Sequence, residues 1–151
     1  MFLRSRRRFC IILCSLFSIL FSFFFFDLTD WRHCCGRECS TGKSLAFAAR
    51  IVKLYQYLSK EKHESVISKQ IIRSGTSIGA NANEAVYGGS KSDFIAKLQI
   101  SLKETAETEY WMKLLVLSEY LTEQEGKPLI DDCLELKRIL ITTLKTAKEK
   151  K

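Results

Sequence analysis

Apolar residues recur every three or four positions in four successive segments that cover most of the chain after residue 43. This spacing predicts four amphipathic helices whose apolar faces meet in one core. The predicted helices span about 44–59, 65–87, 91–121 and 128–148. A single proline and seven glycines leave few helix breakers, and the short connections predict antiparallel neighbours. The pattern therefore predicts an all-α fold, an antiparallel up-and-down four-helix bundle.

Each predicted helix has its own stripe of core residues. They are Phe47, Ile51, Leu54 and Leu58 in the first, Ile67, Ile71, Ser74, Ile78, Ala82 and Ala85 in the second, Ile95, Leu98, Leu102, Ala106, Tyr110, Leu114, Leu117 and Leu121 in the third, and Leu129, Cys133, Leu136, Leu140, Leu144 and Ala147 in the fourth. Phe94, Trp111 and Leu115 widen the stripe of the third helix. Gly75 and Gly79 interrupt the second helix at about 1 kcal/mol each relative to alanine, so we expect a neighbouring backbone to approach closely there. Ser44 and Ser90 suit N-caps, and Pro128 suits a first helical position.

A hydrophobic N-terminal segment precedes the predicted bundle. Residues 9–26 carry no charge, consist of Phe, Leu, Ile, Cys and Ser, and follow an arginine cluster that begins at Arg4. As a helix this run spans about 27 Å, enough for a hydrocarbon core, with the arginines on the cytoplasmic side. Small residues suited to signal-peptide cleavage are missing after it. Three interpretations remain open: a non-coding stretch translated by mistake, a membrane anchor and a signal peptide.

Charge and cysteine content also divide the chain near residue 43. Residues 1–43 have seven Lys/Arg and three Asp/Glu, a net charge of +4, and residues 44–151 have seventeen and fourteen, a net charge of +3. Five of six cysteines lie in the first 39 residues, which leaves Cys133 without a partner in the bundle and indicates a reducing compartment. We therefore separate a leader and Cys-rich linker, residues 1–42, from the bundle, residues 43–151.

No catalytic, metal or cofactor site is predicted in the bundle. A di-metal carboxylate site in such a bundle needs Glu-x-x-His pairs, whereas His63 is the only histidine after residue 43 and belongs to no such pair. Cys133 lies on an apolar stripe without a histidine to act as its base, which is typical of a core residue. Gly42-Lys43-Ser44 lacks the earlier glycine of a phosphate-binding loop. The sequence predicts a protein that is not an enzyme.

Two pairs of cations are the candidate binding residues. Arg50 and Lys53 are three positions apart in the first predicted helix, and Lys69 and Arg73 are four apart in the second. Each pair shares a helix face. The faces are either solvated or form a basic strip that contacts the phosphates of a nucleic acid.

Two motifs in the second and third predicted helices resemble the signatures of one family. The first is Ile72-Arg73-Ser74-Gly75-Thr76-Ser77-Ile78-Gly79-Ala80-Asn81 followed by Glu84, and the second joins Ser92-Asp93-Phe94-Ile95 to Leu102-Lys103-Glu104-Thr105-Ala106-Glu107-Thr108-Glu109-Tyr110-Trp111. They are similar to the bacterial four helix bundle protein family, also called the large-subunit ribosomal RNA intervening-sequence protein family. The resemblance covers about residues 43–147.

The resemblance implies a ring-shaped homopentamer without enzymatic activity. Genes of the family occur inside intervening sequences of ribosomal RNA genes, and a related branch resembles the accessory protein of diversity-generating retroelements, which partners a reverse transcriptase and binds nucleic acid. We therefore expect an oligomeric scaffold whose partners are copies of itself, RNA or DNA, and a reverse transcriptase. Such proteins look cytosolic and would begin near Lys43 here. The alternative is a membrane-anchored interaction module, a single-pass inner membrane protein with its N-terminus inside.

Overall fold

The computed structural model describes residues 37–149, with side chains from residue 42. They form four helices: α1 Arg37–Lys60, α2 Ile67–Val86, α3 Lys91–Leu117 and α4 Glu123–Glu149. Each helix packs against the next, and α4 also packs against α1, which closes the bundle. The prediction of an all-α four-helix bundle is confirmed. The apolar run at residues 9–26 lies outside the described residues.

The core stripes predicted for three of the four helices are confirmed. Every stripe residue of α1 and α4 is buried, and in α2 only Ile67 is half-buried rather than buried. These helices bury apolar side chains on one face, and that burial supplies most of the driving force for packing. Their sequence spacing was therefore sufficient to identify the core.

The stripe predicted for α3 is confirmed only in part. Ile95 and Leu102 are half-buried against the core, and of the residues predicted to widen the stripe Phe94 and Leu115 are buried and Trp111 is half-buried. Tyr110 is 60% exposed and Leu117 82% exposed, although both were expected in the core. The buried residues of this helix are Phe94, Leu98, Ser101, Thr105, Thr108, Glu109, Met112 and Leu115. Of the expected stripe within the helix, only Leu98 is buried, and Leu121 is buried just beyond it. The face that packs inward carries several polar residues, and the opposite face carries apolar ones.

The buried hydroxyls of α3 all have hydrogen-bond acceptors. Ser101 Oγ donates to the carbonyl of Ile78 in α2 at 2.8 Å, and Thr105 Oγ1 donates to the carbonyl of Ser101 at 2.8 Å. Thr108 Oγ1 lies 2.9 Å from Ser74 Oγ of α2. A buried polar group is costly only when it is unpaired, so these residues can occupy core positions.

The glycines of α2 lie where α1 approaches it, as expected. A Cβ atom on Gly79 would lie 3.3 Å from Ser44 Oγ and 3.6 Å from the Ser44 carbonyl oxygen. A Cβ atom on Gly75 would come within 2.9 Å of the Ile51 side chain. Ser44 is itself buried inside α1, so its predicted role as an N-cap is wrong. The small residues of α2 permit a close helix–helix contact.

The ends of the helices are set by local hydrogen bonds. Ser90 Oγ accepts from the backbone N–H of Asp93 at 3.1 Å, which confirms the predicted cap of α3. α4 begins five residues before Pro128, because Thr122 and Glu125 form a capping box: Glu125 Oε2 accepts from the Thr122 N–H at 2.9 Å. Pro128 therefore lies inside α4 rather than at its first position.

Candidate nucleic-acid interface

Arg50 and Lys53 project from α1 beside α4. The Arg50 guanidinium makes an ion pair with Asp132 of α4, and two turns earlier in α1 Lys43 makes one with Glu135. Lys53 is exposed and makes no ion pair within residues 42–149. The first predicted pair therefore combines one cation that bridges two helices with one that is available to a phosphate.

A groove separates α1 from α4 at this point. These two helices pack less closely than the other neighbouring pairs. The groove has a volume of about 310 Å³ and is lined by Arg50, Lys53, Leu54, Tyr57, Leu121, Glu125 and Leu129. A second pocket of about 140 Å³ lies beyond it, and Arg50 lines both. The apolar part of the groove is bordered by cations.

Lys69 and Arg73 lie on α2, and Arg73 faces α3. Arg73 Nη2 lies 3.2 Å from Glu107 Oε1, and the same oxygen accepts from Trp111 Nε1 at 3.2 Å. Arg73 remains 71% exposed in this ion pair. Lys69 is exposed, one turn earlier, and has no ion pair in the described part of the chain.

The structure does not bring the two cation pairs together. Arg50 lies over the junction between α1 and α4, whereas Arg73 lies over the junction between α2 and α3. These junctions are on opposite sides of an up-and-down bundle. The four residues therefore form two separate basic sites rather than one strip.

Tyr57 lines the groove, although it was not among the four candidate binding residues predicted from the sequence. It is half-buried, and Lys62 Nζ lies 5.7 Å from its ring centroid. The sequence contained a signal for it, because Lys53 and Tyr57 are four positions apart and so share a helix face. An aromatic residue beside cations on an exposed face is a usual element of single-strand binding.

The described residues contain a thiol with little nucleophilic character. Cys133 is buried, and its Sγ donates to the Thr105 carbonyl at 3.4 Å. Burial raises the pKa of this thiol to about 12, so the reactive thiolate is scarce at neutral pH. Within residues 42–149 no group of three or more His, Cys, Asp and Glu is placed to hold a metal ion.

Glu109 is a buried carboxylate held by two lysines. Its oxygens accept from Lys113 Nζ at 2.5 Å and from Lys137 Nζ of α4 at 2.8 Å. The hydrogen bond from Lys113, followed by that from Lys137, lowers the pKa of Glu109 below its ordinary value of 4.5. The cluster joins α3 to α4, because Lys137 belongs to α4 and Glu109 to α3.

These features define an α-helical bundle protein with basic residues on two sides and a groove between α1 and α4. The chain belongs to the 23S rRNA-intervening sequence protein family, whose family model matches residues 41–142. It is similar to a crystal structure from Bacteroides thetaiotaomicron VPI-5482, a protein of unknown function from the S23 ribosomal protein family. The sequences are 50% identical over 72% of this chain and 96% of that chain, with a TM-score of 0.71. No curated protein matches the chain. None of the described helices is both long and apolar enough to cross a membrane.

Proposed function

We propose that the chain is a non-enzymatic, self-associating scaffold that binds nucleic acid through the cations of α1 and α2. The observation that carries this proposal is the exposure of Lys53 and Lys69, which have no carboxylate partner within residues 42–149. Each lies beside an arginine of the same helix that is already in an ion pair, so each site offers one unpaired lysine to a phosphate. The family's name, which refers to intervening sequences of 23S ribosomal RNA, supports a nucleic acid as the partner.

The outer face of α3 supports self-association. Ile100, Tyr110 and Leu117 are exposed on the side of this helix that points away from its buried residues. A helix that is apolar on opposite faces is usually covered on both. We propose that copies of the chain pack against this face, and we take five copies from the family resemblance. A ring would repeat the two basic sites and strengthen binding by multivalency.

A salt series tests the nucleic-acid proposal. Fluorescence anisotropy of a labelled RNA should show affinity whose logarithm falls linearly with the logarithm of salt, at a slope of about −0.7 to −0.9 per phosphate contact. Replacing Lys53 and Lys69 by alanine should weaken binding and make the slope shallower. Lys148→Ala, at an exposed lysine near the end of α4, is the matched control and should change little.

Two results would overturn the proposal. One is binding that does not respond to salt, because phosphate contacts release counterions and must respond. The other is full affinity in a variant that lacks the side chains of Arg50, Lys53, Lys69 and Arg73, since neither proposed basic site would then remain.

A further inference from the structure

The groove between α1 and α4 combines an apolar interior with a charged border. Leu54, Leu121 and Leu129 supply aliphatic surface, and Tyr57 supplies the only aromatic ring among the lining residues. The volume of about 310 Å³ is at the small end of the range for ligand pockets. Such a space suits one flat group rather than a peptide helix.

Around the groove the cations Arg50, Lys53 and Lys62 outnumber the carboxylates Glu125 and Asp132. The carboxylate of Glu125 is occupied by Thr122, from which it accepts the backbone N–H at 2.9 Å and the hydroxyl at 2.8 Å. Asp132 is paired with Arg50. Lys53 has no carboxylate partner within the described side chains. Asp132 is therefore offset by Arg50, whereas Glu125 keeps its negative charge. Lys53 and Lys62, whose Nζ lies 5.7 Å from the Tyr57 ring centroid, remain available to an anion.

We propose that the groove receives one unpaired base of a single-stranded nucleic acid, with the base packed against Tyr57 and its phosphate on Lys53. This inference rests on the proposed function, and it specifies single-stranded nucleic acid as the class of ligand. A base joined to a phosphate matches both the apolar interior and the cation at the border. A base inside a duplex is stacked and paired, so it cannot enter without being extruded. Stacking on an aromatic ring tolerates any base, so the site gives preference for single strands rather than for sequence.

Three probes of equal length test the preference, with the full chain as the protein. They are a single-stranded RNA, the same strand with abasic sites, and a duplex. The intact strand should bind about 5- to 150-fold more tightly than the abasic strand, the factor that about 1–3 kcal/mol of base–aromatic stacking provides. Tyr57→Leu keeps apolar bulk and should remove this advantage without changing the affinity for the abasic strand. Tyr55→Leu, at a half-buried tyrosine two residues earlier, is the control and should retain it.

A crosslinking experiment avoids dependence on the folding of a variant. A single strand that contains 5-iodouridine, irradiated with the unaltered protein, should attach to Tyr57 and not to Tyr55, a distinction that fragmentation of the crosslinked peptide in a mass spectrometer would make. The exposed rings of Tyr87 and Tyr110 serve as internal comparisons. Crosslinks confined to those two residues would overturn the inference.

The failures of the two proposals are distinguishable. If all three probes bind equally and lose affinity with salt, the base site is wrong and the phosphate contacts of the proposed function stand. If no probe binds even at low salt, both are wrong.

Discussion

Thr108 of α3 and Ser74 of α2 face each other inside the bundle, with their hydroxyl oxygens 2.9 Å apart. Ser74 Oγ in turn donates to the carbonyl of Gln70 at 3.0 Å, so the two side chains form a short buried hydrogen-bond chain. The contact lies between the most extensively packed pair of helices. It fixes the register of α2 against α3 by polar as well as apolar contacts.

Thr108→Val should lower the free energy of unfolding by about 1–3 kcal/mol, because it keeps the side-chain shape but removes the hydroxyl that faces Ser74. Urea denaturation followed by circular dichroism measures the change. The double variant Ser74→Ala with Thr108→Val should lose less than the sum of the single changes, since the two hydroxyls share one interaction. Strictly additive losses would show that they are not coupled.

Gly79→Leu should destabilise the bundle by about 1–3 kcal/mol or more, because the side chain would push α1 away from α2 at Ser44. Gly79→Ala should cost much less, since its Cβ is only slightly too close to Ser44 Oγ. Gly89→Ala is the control, with nothing within 4 Å of its added atom. A melting temperature of Gly79→Leu near that of the unaltered chain would contradict the contact.

The Glu109 carboxylate should make the free energy of unfolding depend on pH in the acid range. Its pKa is lower in the fold than the ordinary value of 4.5, so its contribution is present above about pH 4.5 and is lost as pH falls through the folded pKa. Glu109→Gln should cost about 1–2 kcal/mol at neutral pH, a moderate amount because both lysines are partly exposed. It should also flatten the pH dependence of the melting temperature below pH 4.5. Glu149→Gln, in an exposed pair with Lys145, should change neither quantity measurably.

Replacing Tyr110 and Leu117 together by lysine should dissociate the oligomer, because two charges would enter the proposed interface on α3. Both side chains are largely exposed in the single chain, so the fold itself should survive. Light scattering after size exclusion measures the mass. Tyr87→Lys, at an 80% exposed residue after α2, is the control and should leave the assembly intact. A monomer in the unaltered protein at micromolar concentration would contradict self-association.

The core residues predicted from the sequence were more accurate for α1 and α4 than for α3, and the reason is physical. In α1 and α4 the buried positions are apolar, so hydrophobic spacing identifies them directly. In α3 the buried positions include Ser101, Thr105 and Thr108, whose hydroxyls are satisfied by neighbouring carbonyls or by Ser74. A pattern read only for hydrophobicity assigns such residues to the surface, and it extends the stripe to the exposed residues Tyr110 and Leu117.

The start of α4 could have been predicted, and the grouping of the cations could not. Thr122-x-x-Glu125 is a capping box visible in the sequence, but Pro128 was given more weight. By contrast, helical spacing shows only that Lys69 and Arg73 share a face of one helix. Which neighbour this face meets depends on helix packing. The ion pair between Arg73 and Glu107 of α3 is therefore visible only in the folded structure.

The junction of α1 and α4 has a consequence for how the bundle opens. These helices are neighbours without a direct connection, separated in sequence by α2 and α3, and they pack less closely than the other adjacent pairs. Distant contacts cost more loop-closure entropy, so this contact should form last in folding and break first in native fluctuations. Amide hydrogens of α1 should accordingly exchange sooner than those at the α2–α3 contact. The groove lies at this junction, so a ligand bound there would stabilise the contact between α1 and α4. It would thereby slow the exchange of amide hydrogens in α1.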